Sequence, residues 1–510
     1  MPFRKWSKML DSFSILSPIN WINQKKVTIQ KIVVLPWLFT MTSFVYAIDL
    51  MDVYHQALDN DPVFKEAYST FLAKSEALPQ AWSQLLPQLT AAGLLGRNNQ
   101  LIDAGTFVIN QTYNGNQWRV NASQAIFNYQ AWEQVKQARA NVKAALAEFN
   151  DAAQQMMLRT TRAYLQVLLA KDTLNFAQAK KRANQRQLEQ AQERFNVGLE
   201  AITAVYQARS AYDQSTAEVI ADNSKLVNIN QDLARITNHT YQYLAALRNN
   251  NIPLIAPEPK IVDEWITTGL KQNYNLYAAK YNLQAARENI KSASASNWPV
   301  LSIQGNVVDT HYDSNQNNGS SANAFANNLF IPQEQRISAV TLNANMPIFQ
   351  GGLVASKTRQ AEYNFQSSSQ RLEQIYRNVV VSTNIFFNTV IDGIEKVKAD
   401  RQTVISQQNT VDSINAQYAV GTRTMTDVLL AQQHLFEAQQ QLASDQYLLI
   451  DTILNLKYFA GTLNVSDLEE INSWLDTTRV AKLAVNKTNP LCQLSDTQKL
   501  VRKMEALPLT

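Results

Sequence analysis

The sequence predicts a mixed fold in which all-α coiled coil is joined to transmembrane β-structure, with two structural repeats per chain. Three observations carry this expectation. The chain is written twice at a nearly constant offset. Each copy holds a proline-free run long enough for a helix of roughly 100 Å at 1.5 Å per residue. Each copy also holds paired short segments that alternate with period two, the mark of β-strands with one apolar face.

The duplication is read residue by residue. Asp61-Pro-Val-Phe64 matches Asn273-Tyr-Asn-Leu276 at an offset of 212, and Ala125-Ile-Phe-Asn128 matches Pro347-Ile-Phe-Gln350 at 222. Phe195-Asn-Val-Gly198 matches Tyr418-Ala-Val-Gly421 at 223, with Ile202-Thr203 on Met425-Thr426. The jump in offset places the extra residues in the Asn/Ser/Gly-rich stretch 313–328. Repeat 1 spans about 48–260 and repeat 2 about 261–475. Their order is short helix, strand, loop, strand, very long helix, turn, long helix.

Strands are expected over about 88–97, 117–127, 300–309 and 337–346. Trp118, Val120 and Ala122 alternate with Arg119, Asn121 and Ser123, and Val340, Leu342 and Ala344 alternate with Thr341 and Asn343. Pro87, Pro299 and Pro347 mark the helix–strand junctions, because proline disfavours helix in the residue before it. Long helices follow over about 129–197 and 352–420, with return helices over 200–238 and 424–460. Val205, Ala208, Tyr212, Ser215 and Val219, and Met425, Val428, Gln432 and Leu435, step by three and four as coiled-coil seams do. The short helices Pro62–Gln84 and Asn275–Asn297 have the length that the return helices lack. Four strands fall short of the eight at which single-chain membrane barrels begin, so closure calls for several copies, and three would supply twelve.

Residues 1–47 read as a secretory signal with an extended n-region. Lys25, Lys26 and Lys31 precede the apolar run Ile32–Val45, and Val45-Tyr46-Ala47 offers small residues for cleavage. The run is short of the roughly 20 residues that span a bilayer, and Pro36 interrupts it. Removing this segment leaves 40 basic against 41 acidic side chains, which excludes a basic nucleic-acid-binding face. Cys492 is the lone cysteine and has no partner for an internal disulfide. His55, His239, His311 and His434 are scattered, without metal-ligand spacing or a nucleophile motif, so neither a catalytic site, a metal site nor a cofactor is expected. Residues 476–510 lack a sustained pattern and read as a mobile tail.

The residues Leu85-Leu-Pro-Gln-Leu89, Arg194-Phe-Asn-Val-Gly-Leu199, Ala201-Ile-Thr203, Pro347-Ile-Phe-Gln-Gly-Gly352 and Tyr418-Ala-Val-Gly-Thr-Arg-Thr424, in this order, resemble the TolC family of outer-membrane efflux and secretion ducts. The resemblance implies a homotrimer with a 12-stranded β-barrel in outer-membrane lipid, continuous with a 12-helix α-barrel tunnel in the periplasm of a Gram-negative bacterium. It also implies a periplasmic adaptor (membrane fusion) protein and an inner-membrane transporter of RND, ABC or MFS type as partners. The implied function is an exit duct for tripartite efflux, type I protein secretion, or both, gated at its coiled-coil tip. A non-pore structural coiled-coil or adaptor protein is the alternative, but an adaptor would show one hairpin and all-β modules.

Gly198 and Gly421 interrupt helices and supply the positive φ that ends them. By the resemblance, these turns form the gated tip. Tyr418, Arg423, Glu200 and Thr203 are the candidates for cross-hairpin bonds there. The family's lock carboxylate would fall at Ala204, so Glu200, one turn away, is the candidate substitute. A local Arg423–Asp427 pair at i,i+4 is the competing arrangement. Asp427 is expected at the pore constriction, with Leu430 where the family carries a second aspartate ring.

Overall fold

The computed structural model describes residues 47–103, 108–248, 252–313 and 334–482. The leader up to residue 46 and the tail beyond residue 482 lie outside the described residues.

Three helices open the chain: α1 (Leu50–Asn60), α2 (Pro62–Ser75) and α3 (Ala77–Ser83). Asp49 caps α1 by accepting from the Asp52 amide, and Asp61 caps α2, where Pro62 fills a first-turn position that needs no donor. Strands β1 (Gln88–Asp103) and β2 (Val108–Phe127) follow, and then α4 (Tyr129–Asn196), a helix of 68 residues. Asn128 caps its start. Gly198, at φ +76°, ends it, with the Leu199 amide donating to the Arg194 carbonyl in a Schellman closure. The return helix α5 (Ile202–Thr237) leads to β3 (Tyr243–Leu247).

The second repeat has α6 (Val262–Gln272), α7 (Tyr274–Ser294), β4 (Val300–Asp313), β5 (Glu334–Asn345), α8 (Leu353–Ala419) and α9 (Met425–Phe459). Gly421, at φ +83°, closes α8 as Gly198 closes α4, with the Thr422 amide donating to Gln417. Helix α10 (Val465–Ser473) and strand β6 (Leu475–Lys482) complete the described chain.

Four strands form one antiparallel sheet in the order β1-β2-β4-β5. Its register aligns Leu89 with Ala122, Ala91 with Val120, Val120 with Val307, and Gly305 with Val340. Since side chains alternate between faces, this register gathers Leu89, Ala91, Trp118, Val120, Val307, Val340 and Leu342 on one face, which also carries the Asp309–Arg336 ion pair. Gln117, Arg119, Asn121, Asn306 and Thr341 fall on the other, where Gln117 donates to Thr310 at 3.1 Å. Leu89, Val340 and Leu342 are each more than two-thirds exposed, so the apolar face is uncovered within one chain. The sheet is open, and β1 and β5 have free edges among the described residues.

The main hydrophobic core lies midway along the helices, where α1, α4, α9 and α10 meet a second sheet in which β3 pairs antiparallel with β6. Leu50, Val53, Tyr164, Leu244 and Ile450 are fully buried there, and the Tyr164 hydroxyl donates to the Ala245 carbonyl at 2.6 Å. Strand β6 therefore occupies the first residues of the stretch read from sequence as tail. Its chain is held by pairing with β3, more than 200 residues earlier. A polar network ties the repeats together in the same region. Tyr458 and Asn275 of repeat 2 both donate to Asp151 Oδ1 of repeat 1, at 2.9 and 2.7 Å, while within repeat 1 Arg159 pairs with the buried Asp61. Helices α2 and α3 pack on the sheet-proximal part of α4, and α7 packs between α4 and α8. No described helix is long and apolar enough to cross a membrane.

Candidate functional site

The turns 197–201 and 420–424 lie side by side at the end of the helices away from the four-stranded sheet. A small core holds them. Ala191, Ala204, Val205, Ala208, Tyr418, Met425 and Val428 are buried together. Ala204, where the resemblance would place a carboxylate, fills an apolar position in this core.

The polar contacts converge on Glu200. The Tyr418 hydroxyl donates across the hairpins to Glu200 Oε2 at 3.0 Å, and Arg194 Nε lies 3.5 Å from the same oxygen. The Arg194 guanidinium also covers the Tyr418 ring, 4.9 Å from its centroid, and reaches the Ala419 carbonyl. Burial, reinforced by the Glu200 carboxylate, pushes the Tyr418 phenol up to about 12, so it stays a proton donor at any physiological pH. A second cross-hairpin bond runs from the Thr426 hydroxyl to Gln207 at 2.9 Å.

Arg423 is placed otherwise than the sequence suggests. It donates to Gln417, on its own hairpin, at 3.1 Å and not to Glu200. No Arg423–Asp427 ion pair forms, because Asp427 closes a capping box with Thr424. The Thr424 amide and hydroxyl hold the Asp427 carboxyl below the usual range, so it remains charged. Thr203 and Leu430 are exposed. Asp427 and Leu430, three residues apart, share one side of α9.

Arg194 is the residue that sequence reasoning passed over, although the duplication contains the signal. The offset of 223 maps Arg194 onto Gln417 and Glu200 onto Arg423. Each turn thus carries the same internal contact with donor and acceptor exchanged, and Phe195 stands where the other hairpin has Tyr418. Phe195 has no hydroxyl to match that of Tyr418, so the phenol bond to the neighbouring turn's carboxylate is made by the second repeat alone. The four histidines are all exposed.

Comparison with known proteins places this architecture. The family model for outer membrane efflux proteins matches residues 53–239 and 265–462. The chain is 34% identical over 436 residues to the outer membrane protein TolC of Escherichia coli (strain K12), covering 85% of this chain and 86% of TolC. It is 24% identical over 430 residues to the alkaline protease secretion protein AprF of Pseudomonas aeruginosa, covering 83% and 86%. Among solved structures, CusC, studied for transmembrane channel formation, superposes with a TM-score of 0.69 at 17% identity, covering 82% of this chain and 93% of CusC. The chain belongs to the outer membrane efflux protein family and is an outer-membrane exit duct that extends into the periplasm.

Proposed function

We propose that three copies of this chain close their four-stranded sheets into one twelve-stranded barrel, and that the paired hairpins beneath it form a twelve-helix tunnel with a gate at its tip. The observation that carries this reading is the open sheet, which among the described residues has two unpaired edges and an uncovered apolar face. An open, lipid-facing sheet edge leaves backbone groups unsatisfied in hydrocarbon, and closure removes that cost. Eight strands enclose only side chains, so twelve leave an aqueous lumen. The apolar face turns to lipid, and the polar face carrying Gln117, Arg119 and Asn121 turns to the pore.

At the other end, the Tyr418–Glu200 bond, braced by Arg194, and the Thr426–Gln207 bond hold the second hairpin against the first. Together they form the closed state of the gate. Asp427 lines the constriction, with Leu430 beside it. A periplasmic adaptor and an inner-membrane transporter of RND, ABC or MFS type engage the tip and break these contacts. The cargo passes outward by tripartite efflux or type I secretion, as the likeness to AprF, a protease secretion protein, supports. The chain itself supplies a conduit and a gate, with no chemical step. Planar-bilayer recording of the purified protein tests this reading. Trimers giving small, discrete conductance steps that grow when the tip contacts are removed fit it, and monomers or absence of conductance refute it.

A further inference from the structure

Where the helices meet the four-stranded sheet, one face carries charge that the duct and its gate do not use. On α4, Trp132, Lys136 and Arg139 are exposed and spaced by four and three residues, which stacks them along one side of the helix. On α7, Arg287, Lys291 and the following Trp298 repeat the pattern in reverse order, as an antiparallel partner would. Glu133 and Glu288 face each other across the seam between the two helices. In each helix the cations lie the same way round from that seam, and for antiparallel helices this puts both stripes on the same side. The opposite side of α4 presents the uncharged amides Gln130, Gln134, Gln137 and Asn141.

The tryptophans sit nearest the sheet, 46% and 52% exposed, and are held by ring contacts with Trp82 and Tyr129. Lys136 follows about 6 Å further from the sheet, at 1.5 Å per residue, and Lys291 stands on α7 beyond the 3-10 turn that leads to Trp298. Each is anchored by a shielded carboxylate, Lys136 on Glu133 at 2.7 Å and Lys291 on Glu288 at 2.8 Å. Arg139 and Arg287 form no ion pair among the described residues, so the face keeps a positive excess.

We propose that this face is a docking surface for the phosphate headgroups of anionic phospholipid in the periplasmic leaflet of the outer membrane. The proposal rests on the barrel reading above. Exposed tryptophan settles at the headgroup boundary of a bilayer, and cations one to three turns beyond it meet the phosphate layer. Charge complementarity therefore selects a lipid with net negative charge over a zwitterionic one. The contact fixes how deep the barrel sits and keeps the tunnel upright beneath it.

The test uses the full mature trimer in nanodiscs made from an equimolar mixture of phosphatidylethanolamine and phosphatidylglycerol, with retained lipid identified by native mass spectrometry. Wild-type protein is expected to retain phosphatidylglycerol several-fold above its bulk share. Arg139→Gln with Arg287→Gln should bring retention close to the bulk composition, Arg139→Lys with Arg287→Lys should preserve enrichment, and single-channel ion selectivity should not change. Four outcomes overturn the proposal. They are no enrichment in the wild type, enrichment kept in the glutamine variant, a shift in ion selectivity that puts the face in the lumen, and loss of adaptor capture with lipid composition unaltered. Competition by inorganic phosphate at equal concentration would also overturn it, since it marks a general anion site. Failure of the wild type to enter nanodiscs as a trimer refutes the barrel reading itself, and this proposal falls with it.

Discussion

Replacing Tyr418 by Phe removes one hydroxyl from the tip and leaves its packing in place. The ring is only 2% exposed, so a phenyl group keeps the same neighbours among Ala204, Val205 and Met425. What is lost is a 3.0 Å bond to a carboxylate. Hydrogen bonds to charged groups contribute about 1.5–3 kcal/mol, and because the Glu200 side chain is 19% exposed the lower end applies. About 1.5 kcal/mol is roughly a tenfold shift per chain, and three chains opening together lose about 4.5 kcal/mol. A shift of about 5.5 kcal/mol turns a 1:99 balance into 99:1, so the variant should move from nearly closed to substantially open. Single-channel conductance in planar bilayers should rise, and cells should become leakier to large antibiotics. Glu200→Gln, which keeps an acceptor but loses the charge, should act in the same direction with a smaller effect. Arg194→Gln should resemble Tyr418→Phe, while Arg423→Ser should do little, because Arg423 bonds within its own hairpin. If Arg423→Ser opens the channel and Tyr418→Phe does not, the assignment of the lock to Glu200 is wrong.

Further outcomes follow from other sites. Leu430→Asp should add a second ring of charge beside Asp427 and raise cation selectivity, whereas Asp427→Asn should lower it. Reversal-potential measurements in a salt gradient decide both. Gly461→Ala should destabilise the fold by about 2 kcal/mol or more, since the residue sits at φ +71° and an added methyl would lie 2.5 Å from the Gln272 backbone. A thermal melt would register this, and an unchanged midpoint would contradict the close approach of the turn after α9 to the end of α6. Asp400 is pushed up to about 6 by burial and by neighbouring Asp445. Its folded-state value lies above the unfolded one, so its stabilisation is complete below the ordinary carboxylate range and is lost as pH rises through about 6. Asp400→Asn should therefore flatten the rise in melting temperature of the wild type between pH 7.5 and pH 5.

The two regular parts of this fold are legible in sequence for physical reasons. A proline-free run that ends in Val-Gly can hardly be anything but one long helix with a left-handed stop. The alternation around Trp118 and Val340 marks strands with one apolar face. The midway collar is not legible, because β3 and β6 are short, lie more than 200 residues apart and carry no turn between them. Their pairing is a tertiary event that no local pattern announces. At the tip, Glu200 is visible as the carboxylate nearest the missing one. Arg194 hides because its acceptor, Glu200, is supplied by its own turn, as Gln417 is for Arg423. Asp427 is likewise drawn away from Arg423 by Thr424, whose amide and hydroxyl are better placed donors.

The claim that three open sheets close into one barrel is tested most directly at the free edges. With Cys492 replaced by Ser, one cysteine is placed on β1 at Thr90 and a second is walked along β5 from Thr341 to Asn345. Oxidation in membranes should yield a band of three chains in denaturing gels for at least one register, lost on reduction, because β5 of one copy must lie against β1 of the next. If no register links more than two chains, the sheets do not close in threes, and the duct assembles in some other way.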